Sequence, residues 1–305
     1  MKQFRVVKRI CKFLAVVLLL LVLIGGGRLA WRYQQVDPAQ RMAAPPAAEA
    51  VMLEESRELT VMTLNLAGMP LFSADRYERY RALGAVITIH DPDIVVLQEA
   101  GDAQERARLI EELEYTGLQH HTYFESSVYG SGLLVLSAYP IAETAFHRFT
   151  ANTPWYALWS PGWWQGRGVG LARLALAPDQ YLDCYVFKLD DRADALRAQQ
   201  WEETLAFIWQ SREAAIPALL AGDWGLLGGE ALQTTSSDTG LVLASLIEGN
   251  SGTTALHFLG DAEAAYTHEL LESNRQEATF VKNQETLRLS SSEIYWSTLR
   301  IMPTP

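Results

Sequence analysis

Asp93-Ile94-Val95-Val96-Leu97-Gln98-Glu99, entered through Asp91-Pro92, is the stretch on which the fold turns. Its unbroken β-branched and Leu run reads as a strand covered on both faces rather than half-solvated. It ends on a carboxylate. Two more buried runs end on a polar side chain: Val61-Met62-Thr63-Leu64-Asn65, and Pro217-Ala218-Leu219-Leu220-Ala221-Gly222-Asp223. Strand ends in α/β folds converge on one rim, so Asn65, Glu99 and Asp223 are expected to share a pocket. Any one alone reads more simply as a strand cap; the three together read as a site. Hard divalent cations take oxygen ligands, and Mg²⁺ typically uses one or two carboxylates plus water and substrate phosphate.

Outward from these runs, period and punctuation predict the other elements. Strands are expected at Leu59 to Leu66, Ser131 to Ser137, Val169 to Leu176, Tyr181 to Leu189 and Ile294 to Ile301. Helices are expected from Asp75 to about His90, Gln104 to Leu113, Ala193 to Gln210 and, briefly, Leu241 to Ile247. Several consecutive strands lack a helix between them. That favours mixed sheets covered by helices over a purely parallel doubly wound fold.

The N-terminus has a different composition. Phe13 to Gly27 is uncharged and apolar, and five basic residues precede it. The positive-inside rule places that end in the cytoplasm. The run is short for a span, and Leu29 to Trp31 extend it past Arg28, which can snorkel. A cleaved signal peptide is the rival reading, with Gly25 to Gly27 at the cleavage point. Either way the body is exported. The expected division is a basic tip and transmembrane anchor over 1–31, an Ala/Pro-rich linker over 32–58 and one domain over 59–305.

Six of the 25 Lys and Arg lie in the first 31 residues, leaving 19 against 36 acidic residues in the rest. So acidic a body repels polynucleotides and anionic lipid, and nucleic acid is not the expected substrate. Cys11 and Cys184 fall on opposite sides of the expected membrane, so no internal disulfide is expected. Trp155, Trp159, Trp163 and Trp164 fall within ten residues. They read either as core over a sheet edge or as a membrane or ligand surface.

Several motifs also carry a family resemblance. Met62-Thr63-Leu64-Asn65-Leu66-Ala67-Gly68-Met69-Pro70 resembles the opening strand of the endonuclease/exonuclease/phosphatase superfamily, especially its neutral-sphingomyelinase-like branch. Asp93 to Glu99 resembles its metal-ligand strand. Gly130-Ser131-Gly132-Leu133 through Tyr139-Pro140-Ile141, Gly166-Arg167-Gly168-Val169, Ala221-Gly222-Asp223-Trp224 and Thr279-Phe280 follow in the family's order. The resemblance implies a four-layered α/β sandwich with two mixed β-sheets. It also implies metal-assisted attack of water on a phosphoester, with Mg²⁺ or Mn²⁺ held by Glu99 and Asn65, and Asp223 orienting the nucleophile.

Other positions depart from that pattern. Lys188, in Val186-Phe187-Lys188-Leu189-Asp190, stands where the family has the His of Asn-Thr-His-Leu. Gly225 replaces the Asn of Gly-Asp-Phe-Asn. Ser291 to Trp296 replaces Arg-Ile-Asp-Tyr-Ile-Phe, and the sequence stops at Pro305 ahead of any Ser-Asp-His. His268 is the best substitute base. The expectation is a membrane-anchored, weakly active or inactive phosphodiesterase-like protein on the extracytoplasmic side of the cytoplasmic membrane. Its substrate would be a lipid headgroup or small phosphoester, with Asn65, Lys188 and Asp223 in the catalytic set. The alternative is a non-catalytic binding or scaffold module on the same fold.

Overall fold

A computed structural model describes residues 2–34, 39–42, 55–70, 73, 75–127, 129–153, 161–213, 216–225, 242–248, 254–260, 266–282 and 285–303. The chain divides into two compact units, Met1–Asp37 and Pro38–Pro305. The first is a helix, α1 (Lys2–Gln34). Its Ile10–Arg28 segment is long and apolar enough to cross a membrane, a measure that a signal sequence also meets.

The second unit is built on two sheets. The first contains β2 (Arg57–Asn65), β3 (Ile94–Gln98), β4 (His120–Tyr123), β5 (Leu134–Ser137), β12 (Tyr266–Lys282) and β13 (Glu285–Pro303). Their order across the sheet is β12-β13-β2-β3-β5-β4. The second contains β1 (Ala39–Met42), β6 (Ile141–Arg148), β7 (Gly168–Ala177), β8 (Gln180–Lys188), β9 (Ala218–Asp223), β10 (Val242–Glu248) and β11 (Thr254–Gly260). Here the order is β1-β6-β7-β8-β9-β11-β10. Each sheet holds one parallel pair, β2 with β3 and β8 with β9, among antiparallel neighbours.

Strand alternation sorts the side chains into layers. Val61, Ile94, Val96 and Val135 of the first sheet pack with Leu174, Cys184, Val186 and Leu219 of the second. The opposite faces are covered by helices. Met62, Leu64, Val95 and Leu97 meet Tyr80, Leu83 and Ile87 of α2 (Arg76–His90) and Leu109 of α3 (Ala103–Glu112). Val169, Tyr185, Phe187 and Leu220 meet Trp201, Leu205 and Ile208 of α5 (Asp194–Ser211). The result is helix, sheet, sheet, helix: the mixed sheets covered by helices that the strand pattern favoured, in the four-layered sandwich that the family resemblance implied.

The described elements depart from the sequence reading in places. In place of the helix expected over Leu241 to Ile247, the described Val242–Glu248 is an edge strand paired antiparallel with β11. A seven-residue apolar run carries no period that separates strand from helix, and the neighbouring strand's backbone decides. Ala39–Met42, inside the stretch read as a linker, pairs with β6. The last strand is longer than expected and forms a long hairpin with β12. Ser131 to Ser137 becomes strand only at Leu134, because Gly130 and Gly132 adopt positive φ. Trp155 and Trp159 lie outside the described residues. Trp163, in the short helix α4 (Pro161–Trp164), is buried and packs edge-on against Trp164, which in turn faces Tyr129. Cys184 is buried and free.

The loop after β6 is fastened to α5 by one carboxylate. Glu203 accepts from the backbone N of Thr150 and Ala151, from Thr150 Oγ1 and from His147 Nε2, at 2.7–2.8 Å. Burial works to raise its pKa, but these donors outweigh burial and hold it below the usual carboxylate range. A depressed folded pKa contributes stability that is present above the unfolded value and lost as pH falls through the folded one. Glu203→Ala is expected to cost about 1–3 kcal/mol at pH 7. In denaturant titrations the difference from the parent should narrow as pH drops below 4.5, the ordinary glutamate value.

Candidate active site

The two parallel pairs end on one rim. Asn65 closes β2 opposite Gln98 of β3, and Glu99 follows directly. Lys188 closes β8 opposite Asp223 of β9. Asn65 Nδ2 donates to Asp223 Oδ2 and, at 3.4 Å, to Glu99 Oε1. Lys188 Nζ reaches the same two oxygens, 2.7 Å from Asp223 Oδ2 and 3.4 Å from Glu99 Oε1. The structure thus brings all four sequence-singled residues together, from both sheets. The Lys188 and Asp223 side chains are 4% and 3% exposed, whereas Glu99 keeps 19%, so Glu99 is the member that faces out.

Backbone detail holds each of them in place. Asn65 Oδ1 accepts from Ala67 N at 2.9 Å, which fixes the amide so that its NH₂ faces the carboxylates. Glu99 has φ 56°, left-handed for a non-glycine residue and a form of strain found at functional positions. Its backbone is clamped by Gly68 N, which donates to Glu99 O at 3.0 Å, and by Ala100 N, which donates to Gly132 O at 2.8 Å. Gly132 itself lies against it: a Cβ there would sit 3.1 Å from Glu99 Cα. Asp223 Oδ1 accepts from Gly225 N at 2.9 Å. Gly225 has φ 63°, and a Cβ would meet the Asp190 carbonyl at 2.8 Å. Gly225 stands where the family has an Asn and carries no side-chain amide, but its backbone N orients Asp223.

Lys188 is held from behind. Leu189 N donates to Asp223 O at 2.8 Å. Arg167 binds Leu189 O at 3.1 Å and Asp190 Oδ2 at 2.9 Å, pinning the segment that follows β8. Burial works against the ammonium charge, but Asp223 and then Glu99 outweigh it and hold its pKa above the ordinary lysine value. Despite its own burial, the Asp191 carboxyl is held low by Lys188 and Arg167. Arg167 was visible in the sequence only as part of a Gly-Arg-Gly-Val motif, with no sign that it anchors this loop.

His268, the best candidate for a substitute base, is elsewhere. His268 lies on β12 opposite Ile301, which pairs with Arg57 at the start of β2. Asn65 is at the other end of that strand, eight residues on, or about 26 Å at the usual strand rise. His147 is engaged by Glu203.

Among the described residues no group of three or more His, Cys, Asp and Glu is placed to hold a metal ion. Mg²⁺ needs oxygens at about 2.0–2.1 Å, and the gap between Glu99 and Asp223 contains the Lys188 ammonium. With Lys188 so placed, the residues do not fit a divalent ion bridging the two carboxylates.

Two mixed sheets enclosed by helices, with Asn65, Glu99, Lys188 and Asp223 on one strand rim, make a four-layered α/β sandwich with a polar end. The chain belongs to the Endonuclease/Exonuclease/phosphatase family, which it matches over residues 62–235, more than half its length. Its relatives lie in the sphingomyelinase-like branch. A Drosophila melanogaster protein that bears the neutral sphingomyelinase name is 37% identical over 173 residues, covering 54% of this chain and 39% of that one. Sphingomyelin phosphodiesterase 2 of Rattus norvegicus is 33% identical over 175 residues, covering 55% and 41%. The chain therefore spans about two fifths of the length of these curated relatives. Among solved structures, sphingomyelinase C from Streptomyces griseocarneus superposes with TM-score 0.58 at 18% identity, covering 79% of this chain and 99% of that one. A Staphylococcus aureus beta toxin with bound magnesium ions gives TM-score 0.55 at 13% identity, covering 81% and 100%. At these identities the likeness is one of fold.

Gly132→Ala would place a side chain at φ +80° against the Glu99 backbone. It is expected to destabilise the domain by about 1–3 kcal/mol, read as a lower denaturation midpoint. An unchanged midpoint would mean that Glu99 is not held by this contact.

Proposed function

We propose that this chain is a membrane-tethered, sphingomyelinase-like domain that receives a lipid headgroup or small phosphodiester at the Asn65–Glu99–Asp223 rim and hydrolyses it slowly. The observation that carries this reading is Lys188, hydrogen-bonded to Asp223 and ion-paired with Glu99 where the family's histidine is expected. An ammonium has three donors and no acceptor, so it can hold a phosphate oxygen but does not accept a proton from water. Asp223 is the acceptor nearest to it, and its outer oxygen already takes two donors. Loss of one general acid or base typically costs on the order of 10²–10⁴ in rate.

The relatives named for sphingomyelin phosphodiesterase activity support a lipid phosphoester. The acidic body supports a zwitterionic or neutral lipid surface over nucleic acid. The Mg²⁺ or Mn²⁺ that the resemblance assigns to Glu99 and Asn65 is opposed by the Lys188 ammonium, 3.4 Å from Glu99 Oε1. The apolar Ile10–Arg28 helix supports a single-pass anchor with the basic N-terminus in the cytoplasm and the domain outside. A binding or scaffold module is the second reading, and the same Lys188 contacts favour it.

Hydrolysis of sphingomyelin and of a chromogenic phosphodiester, with and without Mg²⁺ or Mn²⁺, is expected to fall below about 1 per second and to drop further in Glu99→Ala. Turnover of roughly 1–10³ per second that Glu99→Ala abolishes would establish a full enzyme. Equal turnover in Glu99→Ala would take the site away from Glu99, and no turnover with retained ligand binding would favour the scaffold reading. For the anchor, alkaline carbonate is expected to leave the protein in the membrane fraction. A soluble form beginning after Gly27 would contradict it.

A further inference from the structure

Asp223 Oδ2 and Glu99 Oε1 belong to different sheets, yet the same two donors draw them together. Asn65 Nδ2 and Lys188 Nζ each contact both oxygens. A lysine serving only to pair with one buried aspartate would need no second carboxylate. Lys188 stands between two, as a small cation does in an oxygen-lined site, except that it is covalently tethered to the end of β8. Its reach is set by the backbone. Lys188 is the register partner of Asp223, Leu189 N is bonded to Asp223 O, and Arg167 holds the next carbonyl and carboxylate. The ammonium is therefore positioned before any ligand arrives.

We propose that Lys188 is the resident cation of this site: its ammonium fills the position between Glu99 and Asp223 that a divalent ion would take, so that the chain binds a phosphoester without metal. Removing the ammonium while leaving the carboxylates converts the rim into a divalent-cation site. The chemistry of the two cations differs in a way that fits slow turnover. An ammonium is a hydrated point charge that donates hydrogen bonds. It does not bind water as a Lewis acid and so does not lower the pKa of a nucleophile as a bound metal does. Among the described contacts one N–H group is hydrogen-bonded to Asp223 and the ammonium is ion-paired with Glu99 at 3.4 Å; with three donors in all, the ammonium has capacity left for a phosphate oxygen. The exclusion of metal rests on this geometry alone; metal-free phosphoester binding rests also on the phosphoester reading above.

The test is Mn²⁺ titration of the full-length chain in detergent, followed by the electron paramagnetic resonance signal of free Mn²⁺. The parent chain is expected to take up no Mn²⁺ that depends on Glu99. Lys188→His and Lys188→Met, each checked for the parent's circular dichroism, are expected to bind Mn²⁺ at least tenfold more tightly, and Glu99→Gln in either background should reverse the gain. Mn²⁺ binding by the parent that Glu99→Gln removes would overturn the proposal by itself, even if neither lysine variant folds. Folded lysine variants that bind no Mn²⁺ would overturn it equally. A second arm follows phosphocholine by ³¹P line broadening in EDTA. Binding that persists supports a metal-free site, and binding that needs Mn²⁺ contradicts it. If the parent excludes Mn²⁺ and phosphocholine fails to bind in either condition, the phosphoester reading falls while Lys188 keeps its place.

Discussion

A buried ammonium between two carboxylates is the interaction on which the functional end of this protein depends. Lys188, Asp223 and Glu99 come from three strand ends on two sheets, and each alone would be a charge withdrawn from water. Burying an unpaired ion costs several kcal/mol. The parallel pairing of β2 with β3 and of β8 with β9 brings opposite charges close enough to offset that cost. The inter-sheet core is the other requirement. Val61, Ile94, Val186 and Leu219 fill the space between the sheets, which keeps the two rims level and so keeps Asn65 within reach of Asp223. The site and the sandwich are in that sense one structure.

Much of this was legible in the sequence because buried strands announce themselves. Ile94 to Gln98 and Ala218 to Asp223 carry too few polar residues to be edges, and their polar termini marked the rim. What period alone misread was the short apolar stretch Val242–Glu248, whose pairing with Thr254–Gly260 is a long-range fact. His268 shows the opposite limit. A histidine's chemistry is visible in sequence, but its distance from Asn65 follows from the antiparallel register of β12, β13 and β2, which no local pattern encodes. Gly225 lacks the family's amide side chain, and its backbone N–H still holds Asp223.

Lys188 was legible as a substitution and not as a contact. Its position in a buried strand signalled that the charge needed a partner, yet a four-carbon stem leaves the location of the head group open. The chain belongs to the Endonuclease/Exonuclease/phosphatase family, and fold does not fix function. At the end of β8, Lys188 places a tethered positive charge beside Glu99 and Asp223. Glu99 is more exposed than Lys188 or Asp223 and is held in a left-handed backbone by Gly132 and Gly68, so the rim keeps an accessible polar face.

The most direct measurement of the central interaction is a double-mutant cycle between Lys188 and Asp223 by equilibrium denaturation. Lys188→Met alone leaves two facing carboxylates without their cation, and breaking such a buried pair costs about 3–5 kcal/mol. Asp223→Asn added to it removes one of those charges. The account predicts that the double variant is more stable than Lys188→Met alone, with a coupling well above the ~0.5 kcal/mol scatter of independent sites. Purely additive effects would show that the ammonium does not neutralise Asp223 and would contradict the account.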